Sequence, residues 1–239
     1  MKKVVILILM VFFCSGCINR EDKLIMVTEA SFAPYEYYSN GEIAGVDVDI
    51  AKEIAKELGK ELVVKDVAFD SIIQEVKSGK ADIGVAGISY TEERSKQVDF
   101  SIDYTSSKQI VMVRINSEIN KIDDIQDKKI AVQLGSVADM YVSEEYDSKN
   151  IVRQKKYLAA VQDLKDNKVD CVVMDELPAR QIVNQNSGVR ILDEVLAEDN
   201  YGIIVDKGND KLLNKINEVI GRLKEEGKIE EFVLKHSSN

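Results

Sequence analysis

Arg94 stands in "ISYTEERSKQVDFS", Ile88 to Ser101, directly after the apolar run "ADIGVAG". Arginine presents a planar fork that grips a carboxylate through two bonds. Ser89 and Thr91 put hydroxyls beside it. Ligands of α/β sheets bind outside the carboxyl ends of strands, which is where this arginine falls. The competing reading is a solvated charge among Glu92 and Glu93. "QLGSVADM" offers a second anion grip. Gly135-Ser136 closes a strand and opens a helix, and helix N-termini present N–H groups to anions. The fuller Gly and Lys pattern of a nucleotide-binding loop is missing, and Gly-Ser is also a plain helix cap. Asp175 follows the apolar "CVVM" at another strand end. A carboxylate there suits an ammonium group, or caps "ELPARQIV". Phe32, Tyr35 and Phe69 are loop aromatics that can stack on a ligand or join the core. Taken together, an anion grip (Arg94, Ser89, Ser136) is paired with a cation grip (Asp175). A free amino acid carries both charges.

Helices and strands must bring these residues together. "KLIMVT" reads as a first strand, and "EASFAPYEYYSNGEIAG" as an aromatic loop turning at Asn40-Gly41. "VDVDIAKEIAKELG" places Ile50, Ile54 and Leu58 at helical spacing, with Asp47 to cap its start and Gly59 its end. "KELVVKDV" is a strand, "FDSIIQEVKSG" a short helix capped by Asp70 or Ser71, and "ADIGVAG" a strand. The second half repeats the plan with "KKIAVQLG", "SVADMYVSEEY", "YLAAVQDLKDN" and "KVDCVVMD". "EVKSGKADIGVAG" and "DLKDNKVDCVVMD" each close a helix, turn at Gly or Asn, and run Lys-x-Asp into a strand. Alternating strands and helices predict an α/β fold with a largely parallel sheet in each of two similar lobes. "KQIVMVR" and "YGIIVD" are placed to cross between lobes as a hinge, with the site in the cleft. A helix carrying Leu212, Leu213, Ile216, Val219 and Ile220, then "IEEFVLKH", close the chain.

The chain has 239 residues, 45% hydrophobic and 31% charged, enough for one or two domains with cores. Its formal net charge is -10, which argues against nucleic acid as a partner. One histidine, His236, leaves little room for histidine acid–base chemistry or a His-ligated metal, and no cofactor is called for. "MKK", the apolar run Val4 to Phe13 and "CSGC" read as an export signal. That run is shorter than the ~20 residues of a spanning helix. Cys171, in "VDCVVMD", reads as a small core residue.

Several stretches resemble the family-three extracellular solute-binding proteins, the polar amino-acid-binding proteins of bacterial ABC importers. They are "FAPYEY…GEIAGVDVDIAKEIAKELG", "FDSIIQEVKSGKADIGVAGISYTEERSKQVDFSIDY", "IAVQLGS" and "VDCVVMDE". "SYTEERSKQVDFS" is the most specific of them. The resemblance implies a two-lobed α/β periplasmic-binding-protein fold of type II, with a two-strand hinge around a ligand cleft. It implies a signal peptide over 1–16, a lipidated tether over 17–22, lobe one over 23–106 and 201–239, and lobe two over 107–200. It implies that Arg94 binds the α-carboxylate with Ser89 and the Gly87 backbone, joined from lobe two by Ser136 and the amides after Gly135. Asp175 then takes the α-ammonium, Phe32 and Phe69 flank the side chain, and Glu29 and Gln133 read it. Ala86 and Gly87 stand where some relatives have Ser, and Val137 where Thr is frequent, so the preferred side chain stays open between basic and amide. "CSGC" resembles a lipobox with Cys14 in place of the usual Leu, which implies a lipid on Cys17. The expected partners are a free L-amino acid, permease and ATPase subunits, and the outer face of the cell membrane or the periplasm, with the protein itself a monomer. Two rivals are a cyclohexadienyl-dehydratase-like enzyme on the same fold and a sensory ligand-binding domain. The first needs a carboxylate placed for proton transfer, and the second a signalling module.

Overall fold

The structure is a computed structural model, described here over residues 20–237. The export signal and Cys17 lie outside that range. Residues 20–22, the end of the expected tether, form a 3-10 turn, and Arg20 donates to the Gly79 carbonyl at 2.6 Å.

The first half runs β1 (Lys23–Thr28), β2 (Ser31–Phe32), β3 (Glu36–Ser39), β4 (Glu42–Ala44), α1 (Val46–Glu57), β5 (Glu61–Asp66), α2 (Ile72–Lys77), β6 (Ile83–Gly84), α3 (Glu92–Ser95) and β7 (Val98–Phe100). The chain then crosses to β8 (Thr105–Arg114), β9 (Ile130–Gln133), α4 (Val137–Glu145), β10 (Ile151–Gln154), α5 (Tyr157–Lys165), β11 (Cys171–Asp175), α6 (Glu176–Gln185) and β12 (Val189–Tyr201). It returns through β13 (Ile204–Asp206), α7 (Asp210–Glu225) and α8 (Lys228–Ser237).

Two five-stranded sheets result, ordered β5-β1-β6-β13-β7 and β10-β9-β11-β8-β12. In each, three parallel strands are followed by two that pair antiparallel. The likeness seen between "EVKSGKADIGVAG" and "DLKDNKVDCVVMD" has a structural counterpart. β6 and β11 hold the same central place in their sheets. The turn before each uses a left-handed residue, Gly79 at φ 68° and Asn167 at φ 58°. Glycine and asparagine take that conformation most cheaply.

Two segments join the sheets, β7 to β8 and β12 to β13. They are bonded to each other: the Ser101 N–H donates to Ile203 O at 2.9 Å, and the Tyr104 N–H to Tyr201 O at 3.0 Å. Such a pair can flex together without breaking either sheet.

The aromatic loop is more ordered than its composition suggested. It folds as a three-stranded meander, β2-β3-β4, turning at Asn40 and Gly41, both at positive φ as a tight hairpin turn requires. Gly45 follows at φ 139°, where an added Cβ would lie 2.0 Å from the Tyr35 carbonyl oxygen. Gly45, not Asp47, is the N-cap of α1, and β6 covers only part of "ADIGVAG". Ile50, Ala51, Ile54 and Ala55 are fully or nearly fully buried, and each isoleucine contributes about 1.5–3 kcal/mol of burial. Cys171 is buried in β11, and burial pushes its thiol well up, so it is an inert core residue as expected.

Candidate functional site

The cavity between the sheets is lined by Glu29, Phe32, Glu36, Phe69, Ala86, Gly87, Ser89, Gln133, Ser136, Val137, Tyr157 and Asp175. It therefore gathers nine of the ten expected residues. Arg94 lines the adjoining cavity, with Phe69, Gly135 and Met140.

Arg94 sits on the short helix α3, whose N-cap Thr91 accepts the Arg94 N–H at 3.1 Å. That cap aims the side chain inward, and the residue is 6% exposed. Its guanidinium donates to Ser89 O at 2.6 Å and, across the cleft, to Gly135 O at 2.8 Å. Its Cζ lies 5.6 Å from the Phe69 ring centre. Among the described residues no carboxylate lies within 4.0 Å of it. Burial pushes the guanidinium down from its ordinary value, and Asp199 and Asp175 oppose that. It is a desolvated cation held by carbonyls, not the solvated charge that Glu92 and Glu93 suggested.

Asp175 ends β11, and its carboxylate accepts from Ser107 at 2.9 Å, from Gln109 at 2.8 Å and from the Tyr201 hydroxyl. It occupies the N-cap position of α6 but makes no side-chain cap bond, so its carboxylate serves the cavity wall. Burial, then repulsion by Asp199, pushes its carboxyl up to about 7. Asp199 accepts from Gln109 at 2.8 Å and from the Ser89 hydroxyl at 2.9 Å. Ser107, Gln109 and Asp199 are buried or half-buried on β8 and β12, the second-sheet strands that lead directly from and into the two crossings, so hinge and site share one polar network.

Two of the expected backbone donors have partners within the chain. The Gly87 N–H donates to Asp47 Oδ2 at 2.9 Å. Gly87 shapes the wall: its φ is +52°, and a Cβ there would lie 2.9 Å from the Phe32 ring. A serine at this position would be strained and would clash. The Ser136 N–H likewise turns to Gln133 O at 3.1 Å, and its hydroxyl caps α4 by accepting the Asp139 N–H at 3.1 Å. Val137 and Ala138 open α4, and helix geometry gives their N–H groups no intrahelical partner.

The chain as a whole has known relatives. Residues 24–239 match the model of the bacterial extracellular solute-binding proteins, family 3. The chain belongs to that family. The arginine-binding extracellular protein ArtP of Bacillus subtilis is 30% identical over 226 residues, covering 92% of this chain and 88% of ArtP. AbpA of Streptococcus pneumoniae, an amino acid ABC transporter substrate-binding protein solved with L-arginine, superposes with a TM-score of 0.87 at 31% identity, covering 91% of this chain and 95% of its own. An ancestral arginine-binding protein solved with glutamine gives a TM-score of 0.84 at 39% identity, covering 90% and 97%.

The family-3 cavity has a second end, built from Glu29, Phe32 and Gln133. Glu29 follows β1 and is 2% exposed. Its carboxylate accepts from Ser31 at 2.7 and 2.8 Å and from Gln133 at 3.2 Å, and pairs with Lys156 at 3.0 Å. Phe32 stacks on Tyr157 of the other sheet's layer with ring centres 5.7 Å apart. These contacts, with Arg94 to Gly135, hold the two halves of the cleft together.

Sequence reasoning missed Glu36, Tyr157 and Asp47 at the site. Glu36 and Asp47 are buried neighbours. Burial and Asp47 push the Glu36 carboxyl well up, and burial pushes Asp47 up to about 6 against the bonds from Gly87 and Tyr104. Asp47, which looked like a helix cap, fixes the Gly87 turn instead. In "PYEYYSNG" the residue before Glu36, Tyr35, is itself fully buried, so no alternation in that stretch marks Glu36 as the inward-facing residue.

Proposed function

We propose that this chain captures a free basic amino acid, arginine above all, in the cleft between its sheets and delivers it to an ABC permease without turning it over. One observation carries the reading. Glu29, Glu36 and Asp175 converge on one cavity, while the buried cation beside it, Arg94, has no carboxylate partner among the described residues. An α-carboxylate fits Arg94 and Ser89, an α-ammonium fits Asp175, and a cationic side chain fits Glu29 between Phe32 and Phe69. Gln133, Ser136 and Val137 close the pocket from the other side. The names and bound ligands of the relatives support arginine, and the glutamine complex supports tolerance of an amide.

The lobes are taken as 23–106 with 201–239, and 107–200, in keeping with the two sheets. Closing on the ligand excludes water, which strengthens the ionic contacts, and gives the permease a shape to read. Melting the protein with each of the twenty amino acids tests the assignment, since a ligand bound only by the folded state raises the melting temperature. Arginine or lysine should give the largest rise. A shift with none of them, or turnover of prephenate or arogenate, would replace this reading.

Cys17 is proposed as the lipid anchor, on the strength of "CSGC". Lipoproteins with more than one acyl chain attach stably. Cys17→Ala should move the exported protein from the detergent phase to the aqueous phase, or leave it unprocessed. Unchanged partitioning would exclude the anchor.

A further inference from the structure

Lys156 immediately precedes α5, on the second sheet's side of the cleft. Its ammonium lies 3.0 Å from Glu29 Oε1 and 3.9 Å from Asp66 Oδ2, both at the ends of first-sheet strands. The lysine side chain is 46% exposed while that of Glu29 is 2% exposed, so Lys156 reaches a buried carboxylate from the mouth of the cleft. Among the described residues the other hydrogen bonds to the Glu29 carboxylate come from neutral groups, the Ser31 hydroxyl and the Gln133 amide.

Glu29 is also the carboxylate assigned above to the ligand's cationic end. An acid already paired with an ammonium gains less from a second cation. The two cations also repel, so an arriving guanidinium must push Lys156 toward Asp66 or into solvent. A neutral side chain of the same shape incurs neither penalty. We propose that Lys156 is a specificity-determining residue, an internal cation that competes with a basic ligand side chain for Glu29 and so narrows the pocket's preference for basic over neutral amino acids. This inference rests on Glu29 facing the ligand's side chain.

Lys156 also ties the two halves together, and losing that tie would weaken all ligands alike. A ratio of affinities separates the two effects. L-arginine and L-citrulline, its neutral isostere, are titrated calorimetrically into the mature chain and its variants. Lys156→Met should raise the arginine-to-citrulline ratio by about five- to thirty-fold, the span from a partly exposed to a desolvated ion pair. Lys156→Gln is run beside it, so a folding defect in one leaves the other to decide. Lys156→Arg, which keeps the charge, should hold the parent ratio. In a Glu29→Gln background the Lys156→Met effect should shrink to within about two-fold, the usual limit of additivity for uncoupled sites.

An unchanged ratio in both neutral variants, or equal loss of both ligands, would make Lys156 a tie between the lobes only and overturn the proposal. A parent chain that binds no basic amino acid would instead overturn the function on which it rests.

Discussion

Arg94→Ala should weaken binding of arginine by roughly thirty-fold to a few thousand-fold. Truncating one partner of a desolvated charge pair costs about 2–5 kcal/mol, largely by stranding the other charge, and ~1.4 kcal/mol is ten-fold in affinity. Arg94 meets the conditions. It is buried, held by the carbonyls of Ser89 and Gly135, and has no anion within ion-pair distance among the described residues. A solvated arginine would cost at most ~1 kcal/mol. Arg94→Lys keeps the charge but loses the fork, so it should also lose affinity. Circular dichroism and calorimetry on both variants check this. Parent-like affinity in folded Arg94→Ala would exclude Arg94 from the carboxylate grip.

Asp175→Asn should be comparably harmful and should change the pH dependence as well. The Asp175 carboxyl is pushed up to about 7, first by burial and then by Asp199. A ligand ammonium favours the charged form and draws that value down. The carboxyl therefore binds its proton more tightly in the free protein than in the complex, and binding near neutral pH releases protons. Affinity should be full above pH about 7 and fall as the pH drops through it, by up to ~ten-fold per unit for a single proton. In Asp175→Asn that slope should vanish. Calorimetry in buffers of different ionisation enthalpy measures the released proton directly. An unchanged slope in the variant would assign the titration to another group, such as the Glu36–Asp47 pair.

The residues that end strands were legible from the sequence. Ser89 and Asp175 each follow an apolar run, and the ends of such runs are where α/β sheets place their sites, whereas Glu29 and Gln133 came only with the family resemblance. The repeated helix-turn-strand unit foretold the shared topology, because a left-handed turn and a central strand leave local marks. What stayed hidden depends on distant partners. Asp47 looks like a cap until the chain returns forty residues later to set the Gly87 N–H against it. Asp199 lies within a long polar strand and gains its role only from Ser89 and Gln109. Lys156 sits in "QKKYL", which reads as a solvated lysine pair, and Tyr157 beside it reads as the apolar start of a helix. Pairing with Glu29 and stacking on Phe32 join groups more than a hundred residues apart. No local pattern encodes that.

A cleft that grips both ends of an amino acid can be tested without changing the protein. L-arginine, agmatine, which lacks the α-carboxylate, and Nα-acetyl-L-arginine, which lacks the α-ammonium, are titrated against the same preparation. Arginine should bind at one molecule per chain, and each truncated ligand should bind at least about thirty-fold more weakly, because each strands one buried charge. Agmatine or the acetylated ligand binding as tightly as arginine would contradict the assignment of Arg94 and Asp175 to the two ends.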